Sequence, residues 1–188
     1  MSPLQVNQVY QTIAGNGFYS PLSIVRQVTE ANGQLLSHFP FAVRQAASND
    51  SIYLLQHEMR LVASEGTARG VYRYLPKQQK VAAKTGTTND QKDSWFAGFS
   101  GRHVATVWLG REDAKPTPLT GAGGALNVWG QLMQHLAYVT YADIKPQSID
   151  YYYLNVNTGE AIPDDCPNGV LLPLLKTSAP SYNATCGY

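Results

Sequence analysis

The sequence predicts an α+β domain, an antiparallel sheet flanked by helices, and three observations carry that reading. Segments 49–64 and 123–138 place apolar residues at three- and four-residue steps, the spacing of an amphipathic helix. Between them lie three strand-like runs, 80–87, 93–100 and 103–110. Their connections are short, so the runs pair as an antiparallel meander.

Composition supports this. A chain of 188 residues that is 44% hydrophobic and 14% charged can bury a real core. The net charge of +1 gives no electrostatic case for nucleic acid or an anionic membrane surface.

The elements follow in order. Ser2, Pro3 and Gln5 form a capping box for a first helix whose face is Leu4, Val6, Val9, Tyr10 and Ile13, and Gly15 to Gly17 stop it. The chain begins one residue before that cap, so the expectation is a cut at an element boundary with sequence missing ahead of it. Segments 22–29 and 34–39 read as strands around an Asn32-Gly33 hairpin turn. The helix over 49–64 takes Asn49 or Asp50 as its cap and ends near Gly66, and 67–74 suggests a shorter helix. After the meander comes a polar loop to about Gly121, and Gly121 to Gly124 mark the turn into the 123–138 helix rather than a dinucleotide loop.

From residue 146 the character changes. Tyr151 to Val156 read as a strand, but Pro163, Pro167, Pro173 and Pro180 predict an irregular appendage, dividing the chain into 1–145 and 146–188. Cys166 and Cys186 lie in this tail, and the residues alone leave them either paired or free. His38, His57, His103 and His135 are scattered without metal-ligand spacing, so no metal and no cofactor is expected.

One strand asks for a functional explanation. In a strand over 80–87, Thr85 and Thr87 share one face, about 7 Å apart, and Lys84 and Gly86 take the other. Two hydroxyls, a lysine and a glycine that admits a close backbone suit an extended peptide with a carboxylate, bound by strand addition. An ordinary surface strand is the plainer alternative.

Lys84-Thr85-Gly86 resembles the third signature of the serine penicillin-recognising enzymes, whose motifs run S-x-x-K, S-x-N and K-T-G. The continuation TTNDQKDSWFAGFS is similar to bifunctional class A penicillin-binding proteins of the Gram-negative 1B type, and so are PLQVNQVYQTIA, PLSIVRQVTEANGQLL and GAGGALNVWGQLMQHL. The resemblance implies the C-terminal part of a β-lactamase/transpeptidase-like fold. It implies peptidoglycan D,D-transpeptidation through an acyl-serine, with stem peptides and β-lactams as ligands. In that scheme Lys84 assists proton transfer at the S-x-N serine, and Thr85, Gly86 and Thr87 hold the ligand carboxylate. The Thr87 N–H is then an oxyanion donor, and Trp95 and Phe96 are packing behind the site. The parent is expected to be anchored in the inner membrane with this part in the periplasm, which tilts the cysteines toward a disulfide.

The chain departs from the family in one decisive way. No serine is followed three residues later by lysine, so no nucleophile can be assigned. Ser181-Tyr182-Asn183 matches S-x-N but follows K-T-G, whereas the family places it before. The expectation is an inert fragment of an enzyme, with 103–110 left as an open sheet edge that invites association. The rival readings are a non-enzymatic module for carboxylate-ended peptides, a β-lactamase-like hydrolase, for which no residues can be placed, and a tail that docks partners of a cell-wall synthesis complex. The tail tyrosines fit strand packing better than docking.

Overall fold

A computed structural model describes residues 1–136, 139 and 143–186. The first helix, α1 (Pro3–Ala14), carries the capping box the sequence announces: the Gln5 N–H donates to Ser2 Oγ at 3.3 Å, and the Ser2 N–H to Gln5 Oε1 at 2.8 Å. Two short strands, β1 (Phe18–Tyr19) and β4 (Arg44–Gln45), pair beyond it and were not legible in the sequence. Between them β2 (Gln27–Thr29) and β3 (Leu35–His38) form the expected hairpin, with Gly33 at a φ of +89° in its turn. The strand expected from residue 22 begins only at Gln27.

Helix α2 (Asn49–Ser64) is capped by Ser48, not by Asn49 or Asp50, because the Ser48 hydroxyl accepts from the Ser51 N–H at 3.2 Å. The short helix expected over 67–74 is a 3₁₀ turn, Arg69–Arg73. The meander then appears as read: β5 (Ala82–Thr87), β6 (Asp93–Ser100) and β7 (His103–Gly110), in the order β5-β6-β7. Helix α3 (Ala125–Gln134) is shorter than the predicted 123–138, and residues 137 and 138 lie outside the described residues.

The core forms on the face of the sheet that carries Ala83 and Phe96. Ala63 of α2, Val71 of the 3₁₀ turn, and Leu126, Trp129 and Met133 of α3 close over it, and Phe96 and Trp129 are fully buried. Their rings lie 5.1 Å apart. Trp129 is not merely greasy filling, since its Nε1–H donates to the Ala105 carbonyl at 3.1 Å and so satisfies its one polar group. A second, smaller cluster on the opposite face joins Met59, Ala82 and Phe99 to Tyr10 and Ile13 of α1. The Ala82–Ala83 end of β5 is therefore locked between helices, while Lys84 to Thr87 emerge toward solvent.

The tail is more regular than the prolines suggest. β8 (Ile149–Asn155) pairs in register with β9 (Gly169–Leu175), a strand the sequence reading missed. Pro173 sits inside β9 opposite Tyr151. A two-stranded sheet has a free edge on each strand, and there a missing N–H costs no ladder bond. Cys166 and Cys186 form a disulfide. The tail docks on α2 through the Tyr53 and Tyr151 hydroxyls, 2.9 Å apart, and through His57, which lies edge-on to the Tyr151 ring.

Candidate functional site

Strand β5 runs from small apolar residues into Lys84, Thr85, Gly86 and Thr87, and its outer side has no strand partner among the described residues. One backbone bond fixes what that edge displays. The Thr88 N–H donates to the Asp93 carbonyl at 3.3 Å, so the pair 88/93 is a hydrogen-bonded one. Antiparallel pairs alternate, and the register sets Gly86 against Trp95 and Lys84 against Ala97. Those residues bond inward to β6, and the N–H and C=O groups of Thr85 and Thr87 point to the open edge. The Lys84 ammonium already uses one of them, donating to the Thr85 carbonyl at 3.0 Å.

The two hydroxyls are held from different directions. Thr85 Oγ1 shares a hydrogen bond of 2.7 Å with Thr67 Oγ1, from the loop after α2. Thr87 Oγ1 accepts from the Gly121 N–H at 2.9 Å, from the loop before α3, which leaves its own O–H free to donate. Gly121 reaches that position only because it has no side chain. A Cβ there would fall 2.6 Å from the Trp95 carbonyl oxygen and 2.7 Å from that of Gly86. A Cβ on Gly86 itself would meet the Trp95 Cβ at 3.1 Å on the other face of the strand, so the close approach of the 121 loop depends on Gly121 and not on Gly86.

Behind this surface Ser94 is fully buried, and its hydroxyl donates to the Thr120 carbonyl at 2.7 Å and accepts from the Ala125 N–H at 2.9 Å. It fastens the 120–125 loop to β6 and thereby sets where Gly121 sits. At the strand end, Asp93 accepts from Thr88 Oγ1 at 2.9 Å and from Trp108 Nε1 at 2.8 Å.

Lys84, Thr85, Gly86 and Thr87 are thus brought to one exposed strand end. Phe96 packs beneath it as expected, but Trp95 does not. It lies on the other face, half-buried, with its ring 6.2 Å from that of Trp108. Ser181-Tyr182-Asn183 is built into the tail: the Ala161 N–H donates to the Ser181 carbonyl at 2.9 Å, the Asn183 N–H to the Ala161 carbonyl at 2.7 Å. The four histidines form no cluster, and among the described residues no group of His, Cys, Asp or Glu could hold a metal. Sequence reasoning assigned no role in the site to Thr67, Gly121 or Ser94. The glycine run 121–124 was the available signal for that loop.

Residues 1–124 match the penicillin binding protein transpeptidase domain. The chain belongs to this transpeptidase family. Penicillin-binding protein 1B of Vibrio cholerae is 39% identical over 177 residues, which cover 93% of this chain and 22% of that protein. Penicillin-binding protein 1B of Escherichia coli is 37% identical over 157 residues, 80% of this chain and 18% of that protein. This member therefore spans about a fifth of the length of these curated relatives. In fold, it superimposes on the crystal structure of penicillin-binding protein 1A from Haemophilus influenzae with a TM-score of 0.84 at 18% identity, covering 96% of this chain and 33% of that one. The penicillin G acyl-enzyme complex of penicillin-binding protein A from M. tuberculosis gives 0.55 at 20% identity, covering 73% of this chain and 32% of that one. The antiparallel sheet flanked by helices is part of the transpeptidase fold.

Proposed function

We propose that the β5 edge is one wall of a peptidoglycan D,D-transpeptidase site, the wall that grips the terminal carboxylate of a stem peptide or of a β-lactam. The observation that carries this is the outward N–H of Thr87 beside two hydroxyls held by separate loops. A ligand laid along the edge would pair with the Thr85 and Thr87 main chain, place its carboxylate at the two hydroxyls, and meet the Thr87 N–H with its reacting carbonyl. In the acyl-transfer step a serine oxygen would bond to that carbonyl carbon while the developing oxyanion takes the Thr87 N–H as one donor. Removal of such a donor costs about 3 kcal/mol of transition-state stabilisation. The C–N bond of the peptide or β-lactam would then break, and the proton lost by the serine would pass to the departing nitrogen. Lys84, released from the Thr85 carbonyl, would lend charge to the carboxylate and to proton transfer at a neighbouring serine.

The sequence holds no S-x-x-K pair, so the attacking serine must be supplied by residues outside these 188. The chain alone would therefore bind without acylating, as a module for carboxylate-ended peptides would. The same reading puts the chain in the periplasm of a Gram-negative bacterium, attached to an inner-membrane anchor. Among the described residues no helix is long and apolar enough to cross a membrane.

Incubation of the purified chain with a fluorescent penicillin, followed by denaturing electrophoresis and intact mass, tests this. No covalent label, together with saturable binding of a D,D-terminated peptide that Thr85→Ala weakens, is the expected result. A stoichiometric label would overturn it and make Ser181 the first residue to map.

A further inference from the structure

The two loops that brace the β5 hydroxyls are also the walls of an open groove of about 840 Å³. Glu65, Thr67, Arg69 and Arg73 line one side, and Gly123 and Leu126 the other. The groove is built rather than incidental. Asn127 Oδ1 accepts from Arg73 Nη2 and from the Tyr74 hydroxyl, each at 3.1 Å, while its Nδ2 donates to the Gly123 carbonyl at 2.7 Å. One side chain thus pins the 3₁₀ wall to the α3 wall. Arg73 also donates from Nε to the Gly70 carbonyl at 3.3 Å, and a Cβ on Gly70 would come within 3.1 Å of its guanidinium. The bare glycine lets that arginine lie flat against the turn.

Arg69, four residues earlier, is exposed, and its side chain has no hydrogen bond or ion pair among the described residues. Glu65 is the acidic residue in the lining, and no ion pair within 4.0 Å joins it to either arginine. The groove keeps an excess of one positive charge. The Arg69 guanidinium offers a planar fork that matches a carboxylate, and Arg73, bonded to Gly70 and Asn127, adds its charge. Its walls meet the carboxylate-gripping strand through Thr67 on Thr85 and through Gly121 on Thr87.

We infer that this groove is a second anion subsite, which takes an internal carboxylate of the same peptide whose terminal carboxylate lies at Thr85 and Thr87. The inference rests on the β5 edge gripping a peptide by its end. A volume of about 840 Å³ is far more than one carboxylate fills and suits two or three peptide residues. Arg69 would pair with the internal carboxylate, and Arg73 would hold the groove open and add its charge.

The test is an NMR titration of the full chain with two synthetic pentapeptides. Both have a free D,D-terminus, and they differ only in an internal glutamate or glutamine. The wild-type chain is expected to bind the glutamate peptide about three- to fivefold more tightly, the range for one solvent-exposed ion pair. Arg69→Gln is expected to erase that preference, to leave the glutamine peptide unaffected and to unfold at the same temperature, since the side chain holds nothing together. Equal binding of both peptides by the wild type, with Thr85→Ala weakening both, would overturn the subsite and leave the role of β5 standing. A glutamate preference that survives Arg69→Gln would also overturn it. Binding of neither peptide would overturn the subsite and the β5 reading together.

Discussion

The Gly121 N–H donates to Thr87 Oγ1 across a gap into which no side chain would fit. The contact orients a hydroxyl at the exposed end of β5 from a loop 34 residues away in sequence. It also makes Gly121 a sharp point of failure. A Cβ there meets three backbone atoms of Gly86 and Trp95 at 2.6–2.9 Å, and a paired strand cannot step aside. Gly121→Ala is expected to lift the loop, break the bond to Thr87 and destabilise the chain by about 1–3 kcal/mol. Urea unfolding measures the loss, and an unchanged midpoint would show that the loop moves freely.

Ser94 holds the same loop from below. Its hydroxyl is fully buried and makes two hydrogen bonds, to the Thr120 carbonyl and from the Ala125 N–H. Ser94→Ala removes both at once and strands the Ala125 N–H at the start of α3. A loss of about 1–3 kcal/mol is expected. Ser94→Thr keeps the hydroxyl but overpacks the site, because a Cβ on Gly124 already falls 2.8 Å from Ser94 Oγ. Peptide affinity should fall with Ser94→Ala through the displaced Gly121, so stability and binding measured together separate anchoring from a purely local defect.

These two residues show where sequence legibility ends. The strands β5 to β7, α1 and the hairpin turn were readable because period-two and period-3.6 patterns, a capping box and Asn-Gly are local signals. Lys84 to Thr87 were readable because alternation on a strand fixes which side chains share a face. The partners of Thr85 and Thr87 were not, because each depends on a loop returning from 18 or 34 residues away. Strand β9 was hidden by Pro173, which is tolerated only because the tail sheet has two strands. Ser48 lost its place as a cap to Asn49 and Asp50, its neighbours of similar capping preference, and only the hydroxyl geometry separates them.

His57 gives the tail a dependence on pH. It lies at the contact between α2 and Tyr151. Burial first, and the Arg60 charge second, push its imidazole below the ordinary histidine value of 6.5, against the pull of Glu58. A histidine with a lowered folded pKa favours the neutral form in the native state. Its contribution to stability is then present above the unfolded value and is lost as pH falls through 6.5 toward the folded value. The melting temperature is expected to drop between pH 7.5 and 5, and His57→Gln to flatten that part of the profile. A profile with the same slope in the variant would assign the dependence to other groups.

The disulfide should matter to the tail and not to the site. Cys166 and Cys186 close a loop with a sequence separation of 20, and in the chain-entropy account a loop of that size is stabilised by about 3 kcal/mol. The bridge acts beside a buried anchor: Asn155 Nδ2 donates to the Cys186 carbonyl at 3.0 Å, and Asn155 Oδ1 accepts from the Asn157 N–H at 2.8 Å. Ala161 and Asn183 bond across the same loop. With both cysteines replaced by serine, the β8–β9 ladder would still hold residues 169–175, while the chain on either side would lean on these few hydrogen bonds. Strands β5 to β7 draw their stability from Phe96, Trp129 and Val71, none of which the tail touches in the core cluster. Hydrogen exchange is therefore expected to accelerate at Ala161 and Asn183 in the double variant, or in reduced wild type, while the β5–β6 ladder keeps its protection. Faster exchange in that ladder as well would mean that tail and sheet unfold as one cooperative unit, coupled through α2 by the Tyr53–Tyr151 contact.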